Sequence, residues 1–214
     1  NIDLSVNFEA KVLSGNVILS LNHKKKTKKL ILDTRGLTIE KITLDEKEIP
    51  TTFALGEEIQ FLGKSLTIAI TPKTKFVKIY YSTSPTASAL QWLDPSQTSG
   101  KIKPFLFTQS EAILARTWVP CMDGPGVRMT YSATIHTPKD LMAVMSAAGN
   151  TVEKNSDGLY KFEMKQPIPS YLLALAVGDL EFRPLGARSG VYAEPSMIEK
   201  SANEFVDLEK MISA

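Results

Sequence analysis

The stretch "VRMTYSATIHTP", residues 127–138, alternates apolar and polar side chains along most of its length. The apolar set is Val127, Met129, Tyr131, Ala133 and Ile135, and the polar set is Arg128, Thr130, Ser132, Thr134 and His136. A period of two belongs to an extended strand, because successive side chains there point to opposite faces. The stretch therefore predicts a strand with one buried and one solvated face, as is common in antiparallel sheets.

Similar strand-like segments lie on both sides of this stretch. They are "LTIEKITL" (37–44), "SLTIAITP" (65–72), "KFVKIYYSTSP" (75–85), "LMAVMSA" (141–147), "LYKFEMKQ" (159–166) and "YLLALAVGDLEFRPL" (171–185). In "KVLSGNVILSLNH" (11–23), the residues Ser14, Gly15 and Asn16 predict the turn of a hairpin. Since no long helical pattern precedes Glu194, residues 1–193 are expected to form an all-β domain with a layered, sandwich-like architecture.

The tail, residues 194–214, has a different period. Its apolar residues at helical spacing are Ile198, Ala202, Phe205, Leu208 and Ile212. Ser196 and Glu199 fit a capping box at the start of this helix. Because the apolar stripe faces no other predicted helix, the tail is expected to begin a following domain.

Composition excludes several function classes. The chain is 43% hydrophobic and 22% charged, as in an ordinary globular protein. A net charge of +2, with no basic face, gives no indication of nucleic-acid binding. The longest apolar run, "YLLALAVG" (171–178), is far shorter than the ~20 residues of a membrane helix. No polyanionic or membrane partner is therefore expected.

Three other features have a functional and a structural interpretation. The basic run "HKKKTKK" (23–29) suits an anionic ligand, but it is more typical of a solvated strand edge. Cys121 is expected to be a buried structural residue, because neither His23 nor His136 lies in a motif that activates a thiol. The two histidines form no HExxH motif, and a single cysteine gives no pair, so residues 1–214 are not expected to hold a metal by themselves.

Gln109 and Glu111 lie two positions apart in an otherwise apolar, strand-like stretch. On an extended strand they share one face, and Ser110 points the other way. A carboxylate against an apolar face is costly unless it meets water, donors or a cation. Glu111 is therefore expected to be solvated, to pair with Arg116, or to wait for a positively charged ligand.

The segment from Phe107 to Gly126 closely resembles the gluzincin aminopeptidases, the aminopeptidase N superfamily. The matching residues are Phe107, Thr108, Gln109, Glu111, Arg116, Pro120, Cys121, Asp123 and Pro125. "LILDTRGLTIEKITL" (30–44), "SALQWLDPSQTSGK" (88–101) and "PIPSYLLALAVGDLEFRPLGAR" (167–188) resemble the leukotriene A₄ hydrolase branch of that superfamily. The resemblance covers nearly the whole chain.

The resemblance implies a saddle-shaped, mostly antiparallel N-terminal domain that packs against its own catalytic domain. That second domain would bind one zinc ion, and residues 1–214 would contain no catalytic residue. Glu111 would bind the free α-ammonium of a peptide substrate, and Gln109 would line the first side-chain pocket. The turn that holds this strand would be formed by Arg116, Pro120, Cys121, Asp123 and Pro125, with Arg116 paired to Asp123 or to a carboxylate across the domain boundary.

Several alternatives stay open at this point. The leukotriene hydrolase carries Gln-x-Gln where this chain has Gln109 and Glu111, so peptide hydrolysis is predicted and epoxide hydrolysis is expected to be minor or absent. A stand-alone β-sandwich module that binds a partner without chemistry also fits these residues. The resemblance suggests a cytoplasmic enzyme. Because the sequence lacks an initiating Met, it is expected to begin inside a longer chain, and an export signal upstream is the alternative.

Overall fold

The computed structural model describes residues 1–22 and 27–214. Its strands are β1 (Ile2–Asn7), β2 (Val12–Ser20), β3 (Lys29–Thr34), β4 (Thr38–Leu44), β5 (Ile49–Pro50), β6 (Phe53–Leu55), β7 (Lys64–Ala69), β8 (Phe76–Ser82), β9 (Leu90–Leu93), β10 (Phe105–Thr108), β11 (Arg128–His136), β12 (Met142–Met145), β13 (Leu159–Pro169), β14 (Leu175–Gly178), β15 (Glu181–Pro184) and β16 (Gly190–Ala193). Two short helices follow, α1 (Ile198–Glu204) and α2 (Leu208–Ser213).

The largest sheet has seven strands in the order β13-β11-β1-β2-β8-β4-β5. Within it β1 pairs in parallel with β11, with Ile2 opposite Ala133 and Leu4 opposite Ile135. The other neighbours in this sheet are antiparallel. The mostly antiparallel all-β domain that was predicted is thereby confirmed.

Three smaller sheets complete the structure, in the orders β12-β14-β10-β9, β3-β7-β6 and β15-β16. The first two share one hydrophobic core with the large sheet. Leu4 and Ile79 come from the large sheet, Leu66 from the three-stranded sheet, and Leu106 and Val177 from the four-stranded sheet, and all five are fully buried. The sheets are layered around this common core, because each sheet buries one apolar face against the others.

Strand β11 confirms the alternation from which its prediction came. Tyr131, Ala133 and Ile135 are buried, whereas Val127 lies outside the strand and is 39% exposed. The register with β13 shifts between Met129 and Tyr131. Such a bulge bends the strand and ends its regular alternation. The first part of the predicted apolar face is therefore the part that does not enter the core.

The hairpin turn predicted at Ser14–Asn16 is wrong. Strand β2 runs without interruption through Gly15, which pairs with Leu4 on one side and Tyr81 on the other. Gly15 has φ 151°, and a Cβ there would lie 2.1 Å from the carbonyl oxygen of Asp3. The glycine thus permits a close backbone approach inside a central strand, a second meaning of glycine in a strand pattern.

The C-terminal helix is present but bent into α1 and α2. The predicted capping box does not form, because the Ser196 hydroxyl bonds to Ser99 and the Glu199 carboxylate pairs with Arg183. Ile198 is 5% exposed and packs α1 against the β15-β16 hairpin. Within residues 1–22 and 27–214, no helix has the length and apolar character needed to span a membrane.

The basic run falls partly outside the structure, since His23 and the three lysines that follow it are not among the described residues. Lys29 opens β3, an end strand of the three-stranded sheet. That position agrees with the strand-edge interpretation for the described end of the run.

Candidate functional site

Gln109 and Glu111 follow the end of β10. The Gln109 N–H donates to the Ala89 carbonyl at 2.9 Å, after which the chain turns. Glu111 lies in this turn rather than on a strand, and its peptide bond to Ala112 is cis. The expected extended strand is thus wrong beyond Thr108. The sidedness is nevertheless as expected, because Gln109 and Glu111 are exposed and Ser110 is buried.

The Gln109 side chain has a fixed orientation. Its Oε1 accepts a hydrogen bond from the Glu111 N–H at 3.0 Å. A backbone N–H can only donate, so the amide atom that faces it must be the oxygen. The Nε2 group of Gln109 therefore remains as a donor for an acceptor atom of a ligand.

The Glu111 carboxylate stands free of the other described residues, with no hydrogen bond or ion pair to any of them. The internal partner considered for it, Arg116, is turned toward Asp123 instead. An exposed carboxylate accepts hydrogen bonds only, and it does so most strongly from a cation. Glu111 is therefore available to a positively charged group.

Arg116 and Asp123 form a buried ion pair. Arg116 Nε lies 3.0 Å from Asp123 Oδ2, and the side chains are 7% and 0% exposed. Arg116 also donates to the carbonyl oxygens of Asp123 at 2.8 Å and of Leu62 at 2.9 Å. Of the partners expected for Arg116, Asp123 is found, and Asp33, which was not expected, lies 3.6 Å from Arg116 Nη1. These bonds satisfy the guanidinium inside the protein, as a buried charge requires.

Asp123 extends this network to distant parts of the chain. Its Oδ1 accepts from the Ser170 hydroxyl at 2.6 Å, and its N–H donates to Asp33 Oδ2 at 2.9 Å. The Asp33 N–H in turn donates to the Cys121 carbonyl at 2.8 Å. The loop after Gln109 is therefore held against β3 on one side and the end of β13 on the other.

Cys121 is a buried structural residue, as expected. Its side chain is 3% exposed. Burial raises the pKa of the Cys121 thiol above its ordinary 9.0, and the nearby Asp123 and Asp33 raise it further. The thiol is therefore protonated at neutral pH, which excludes a thiolate nucleophile here.

The two prolines of the motif differ in burial. Pro120 is buried, directly before the bridge that Cys121 makes with Asp33. Pro125 is exposed, in a turn closed by the Val127 N–H and the Gly124 carbonyl at 3.0 Å. Both lie where the chain changes direction, consistent with the fixed φ of proline.

The described part of the chain brings together no group of three or more His, Cys, Asp or Glu side chains that would hold a metal ion. His136 pairs with Asp3 at 2.9 Å on the surface. A zinc ion therefore finds no fitting set of ligands among these residues.

Sequence reasoning missed the residues that anchor the loop. Asp33, Leu62 and Ser170 contact it from positions far away along the chain. Ser110 was noted only for its direction, yet its hydroxyl donates to the Leu173 carbonyl at 2.8 Å and accepts from the Trp118 indole at 3.1 Å. No local pattern marks these contacts, because all but the one between Ser110 and Trp118 join segments far apart along the chain.

Comparison with known proteins identifies the protein family that this chain matches. Residues 1–172 match the Peptidase M1 N-terminal domain. The chain is 39% identical over 222 residues to the leukotriene A-4 hydrolase of Xenopus laevis and 39% identical over 216 residues to leucine aminopeptidase 2 of Yarrowia lipolytica. Both alignments cover 99% of this chain, but 36% and 32% of the relatives. The chain thus spans about a third of their length.

Solved structures resemble the fold over most of the chain. The native leukotriene A4 hydrolase of Saccharomyces cerevisiae superposes with a TM-score of 0.88 at 36% identity, over 99% of this chain and 33% of that one. An M1 zinc metallopeptidase of Deinococcus radiodurans gives a TM-score of 0.66 at 22% identity, over 89% of this chain and 44% of that one. The second likeness shows a shared fold.

Proposed function

The chain belongs to the Peptidase M1 N-terminal domain family, and on this premise we propose that it is the substrate-anchoring domain of a zinc aminopeptidase. In this proposal residues 1–193 form the anchoring domain and residues 194–214 begin the catalytic domain against which it packs. The substrates are peptides with a free N-terminus. In this proposal the catalytic domain holds the zinc ion, and the described residues gather no set of ligands for it. The proposed compartment, the cytoplasm, rests on the resemblance to the leukotriene hydrolase branch alone.

The free carboxylate of Glu111 is the observation that carries the proposal. An enzyme that removes terminal residues must distinguish an ammonium group from an internal amide. A carboxylate does so by a charge-assisted hydrogen bond that an amide cannot replace. The exposed Glu111 side chain, with no partner elsewhere in the described chain, suits that role.

Gln109 has a complementary role in this proposal. Its Oε1 is used by the Glu111 N–H, so its Nε2 donates to an acceptor of the substrate near the first side-chain pocket. Glu111 then accepts from the α-ammonium while Gln109 donates. Two fixed contacts of opposite hydrogen-bond sense place the first residue of the peptide in one orientation, and binding the terminus also positions the bond to be cleaved.

The free carboxylate of Glu111 also favours peptides over lipid epoxides as substrates. An epoxide has no ammonium, so a free carboxylate would remain uncompensated when it enters a closed site. The similarity to a protein named leukotriene A-4 hydrolase makes epoxide hydrolysis the second activity to measure. We expect it to be minor beside peptide hydrolysis.

The test is an aminopeptidase assay on the full-length protein with zinc present. The substrates are a fluorogenic amino-acid amide and its N-acetyl form, and the variant is Glu111→Gln. We expect cleavage of the free amine alone, and a loss of kcat/KM in the variant of about 2–4 kcal/mol, or about 30- to 900-fold. The loss reflects one partner removed from a charge pair.

Glu153→Gln is the matched control, since Glu153 is also exposed and its carboxylate makes no hydrogen bond or ion pair among the described residues. Its activity should equal that of the wild type. Full activity of Glu111→Gln would remove the anchor assignment. An inactive wild type would instead favour the binding module without chemistry.

A further inference from the structure

Ser110 lies between the two proposed substrate contacts and points into the protein. Ser110 as a whole is 2% exposed. The hydroxyl donates to the Leu173 carbonyl at 2.8 Å and accepts from the Trp118 indole N–H at 3.1 Å. Its own carbonyl accepts from the Leu114 N–H at 2.9 Å. Ser110 is therefore fixed by three bonds at the point where β10 becomes the turn.

The groups that hold Ser110 are themselves immobile. Trp118 is fully buried in the common core. Leu173 is 3% exposed and lies just before β14, which pairs with β10. Neighbouring Thr108 adds a bond from its side chain, because its hydroxyl accepts from the Leu175 N–H at 2.9 Å. The segment that ends in Gln109 and Glu111 is thus bonded to the four-stranded sheet at successive inward-facing positions.

The Ser110 hydroxyl satisfies two buried polar groups at once. Its loss leaves the indole N–H and the Leu173 carbonyl without their partner, an imbalance that favours a shift of the segment. Peptide units on both sides of Ser110 carry the two exposed side chains. A shift at Ser110 therefore changes where Glu111 stands.

We propose that Ser110 is a positioning residue that acts through Glu111. It touches no substrate itself, but its two side-chain hydrogen bonds set the place of the carboxylate that receives the α-ammonium. This inference rests on the proposed function, since it assumes that Glu111 is the ammonium anchor. It adds that the accuracy of the anchor is set from inside the core, by Trp118 and Leu173.

A double-mutant cycle on the full-length protein tests this role. Ser110→Ala is measured alone and together with Glu111→Gln, with the free-amine amide as substrate. Alone it should lower kcat/KM about tenfold, mainly through a higher KM, because the anchor binds the substrate terminus. In the Glu111→Gln background it should have an effect of less than about twofold, because residues that act through one another are not additive.

Ser110→Cys keeps the shape and a weak donor and acceptor at this position. It should recover part of the loss in kcat/KM. Thr83→Val is the matched control outside the loop, because the buried Thr83 hydroxyl likewise accepts from an N–H, that of Leu13 at 2.9 Å. Its effect on kcat/KM should be about the same in the wild-type and the Glu111→Gln backgrounds.

The outcomes separate the inference from the proposed function. Equal losses for Ser110→Ala in both backgrounds would mean a general structural role and would overturn the positioning inference alone. No loss for Ser110→Ala, while Glu111→Gln is impaired, would overturn it as well. Full activity of Glu111→Gln would overturn the proposed function and with it the inference.

Discussion

The Arg116–Asp123 pair places two charges almost entirely away from water. Removing the Asp123 charge leaves the buried guanidinium with only the more exposed Asp33 carboxylate, whose Oδ1 lies 3.6 Å from Arg116 Nη1. We therefore expect Asp123→Asn to lower the free energy of unfolding of the chain by about 3 kcal/mol, the low end of the range for a broken buried pair. The measurement is the urea midpoint of the wild type and the variant.

The control for this prediction is Asp207→Asn. Asp207 pairs with Lys210 on the surface, where the side chains are 52% and 85% exposed. Exposed pairs contribute about 0–1 kcal/mol, so the midpoint should move little. Similar midpoint shifts for the two variants would contradict the view that burial makes the Arg116 pair important.

The Cys121 thiol makes the free energy of unfolding depend on pH in the alkaline range. The folded chain holds the thiol proton more tightly than the unfolded chain, whose thiol ionises near 9.0. Its contribution is therefore complete below pH 9 and is lost as pH rises toward the raised pKa of the folded state. Above pH 9 we expect the wild type to lose stability relative to Cys121→Ala, by up to about 1.4 kcal/mol per pH unit.

Urea unfolding at pH 8 and at pH 10.5 measures this change. Val119→Ala serves as the control, because Val119 is 3% exposed in the same loop and has no proton to lose. Its stability cost should be the same at both pH values. A pH-independent cost for Cys121→Ala would show that the thiol does not titrate differently in the two states.

At the level of single residues, the motif predicted more than the local pattern did. The resemblance implied that Arg116 pairs with Asp123 or with a carboxylate across the domain boundary, and the pair with Asp123 is found. The contacts of Asp123 with Asp33 and Ser170 had no signal, because they join positions 90 and 47 residues apart. The role of Glu111 remains a prediction.

Among the elements, β2 shows how one glycine can mislead a strand prediction. Gly15 sits in the middle of β2 with φ 151°, where a Cβ would lie 2.1 Å from the Asp3 carbonyl oxygen. We expect Gly15→Ala to lower the free energy of unfolding by at least about 1–3 kcal/mol, because β1 and β2 must separate to admit the methyl group. The thermal midpoint of the chain measures the effect.

Gly126→Ala is the comparison, since a Cβ at Gly126 would meet nothing within 4 Å. Its midpoint should stay close to that of the wild type. If Gly15→Ala were equally harmless, β1 and β2 would not be packed as closely as the structure has them.

Strand positions were predicted well where the alternation is strong, as in β8 and β11. The single stretch predicted at 171–185 instead divides into β14 and β15, which belong to different sheets. Periodicity reports which side chains can be buried, but the partner strand is chosen by the whole fold. The break of the C-terminal helix at Phe205 was equally invisible to spacing.

On the scale of the whole molecule, three sheets bury one core, and the loop of Gln109 and Glu111 emerges from it. The tail is joined to the β15-β16 hairpin by ion pairs of Arg183 with Glu199 and of Arg188 with Glu209. Fold class was predictable because composition and period constrain it. The resemblance implied a saddle-shaped, mostly antiparallel domain, but neither it nor the residues alone gave the order of the strands in the sheets.

The parallel pairing of β1 with β11 has a consequence for the chain as it is made on the ribosome. β2 follows β1 closely along the chain, but the other neighbour of β1 in the sheet begins only at Arg128. Until then one side of β1 offers unpaired N–H and C=O groups, the kind of edge that recruits a second nascent chain. Synthesis of β11 thus covers that side of β1, and β13 later covers the far side of β11. A translation product that stops before β11 leaves one side of β1 unpaired.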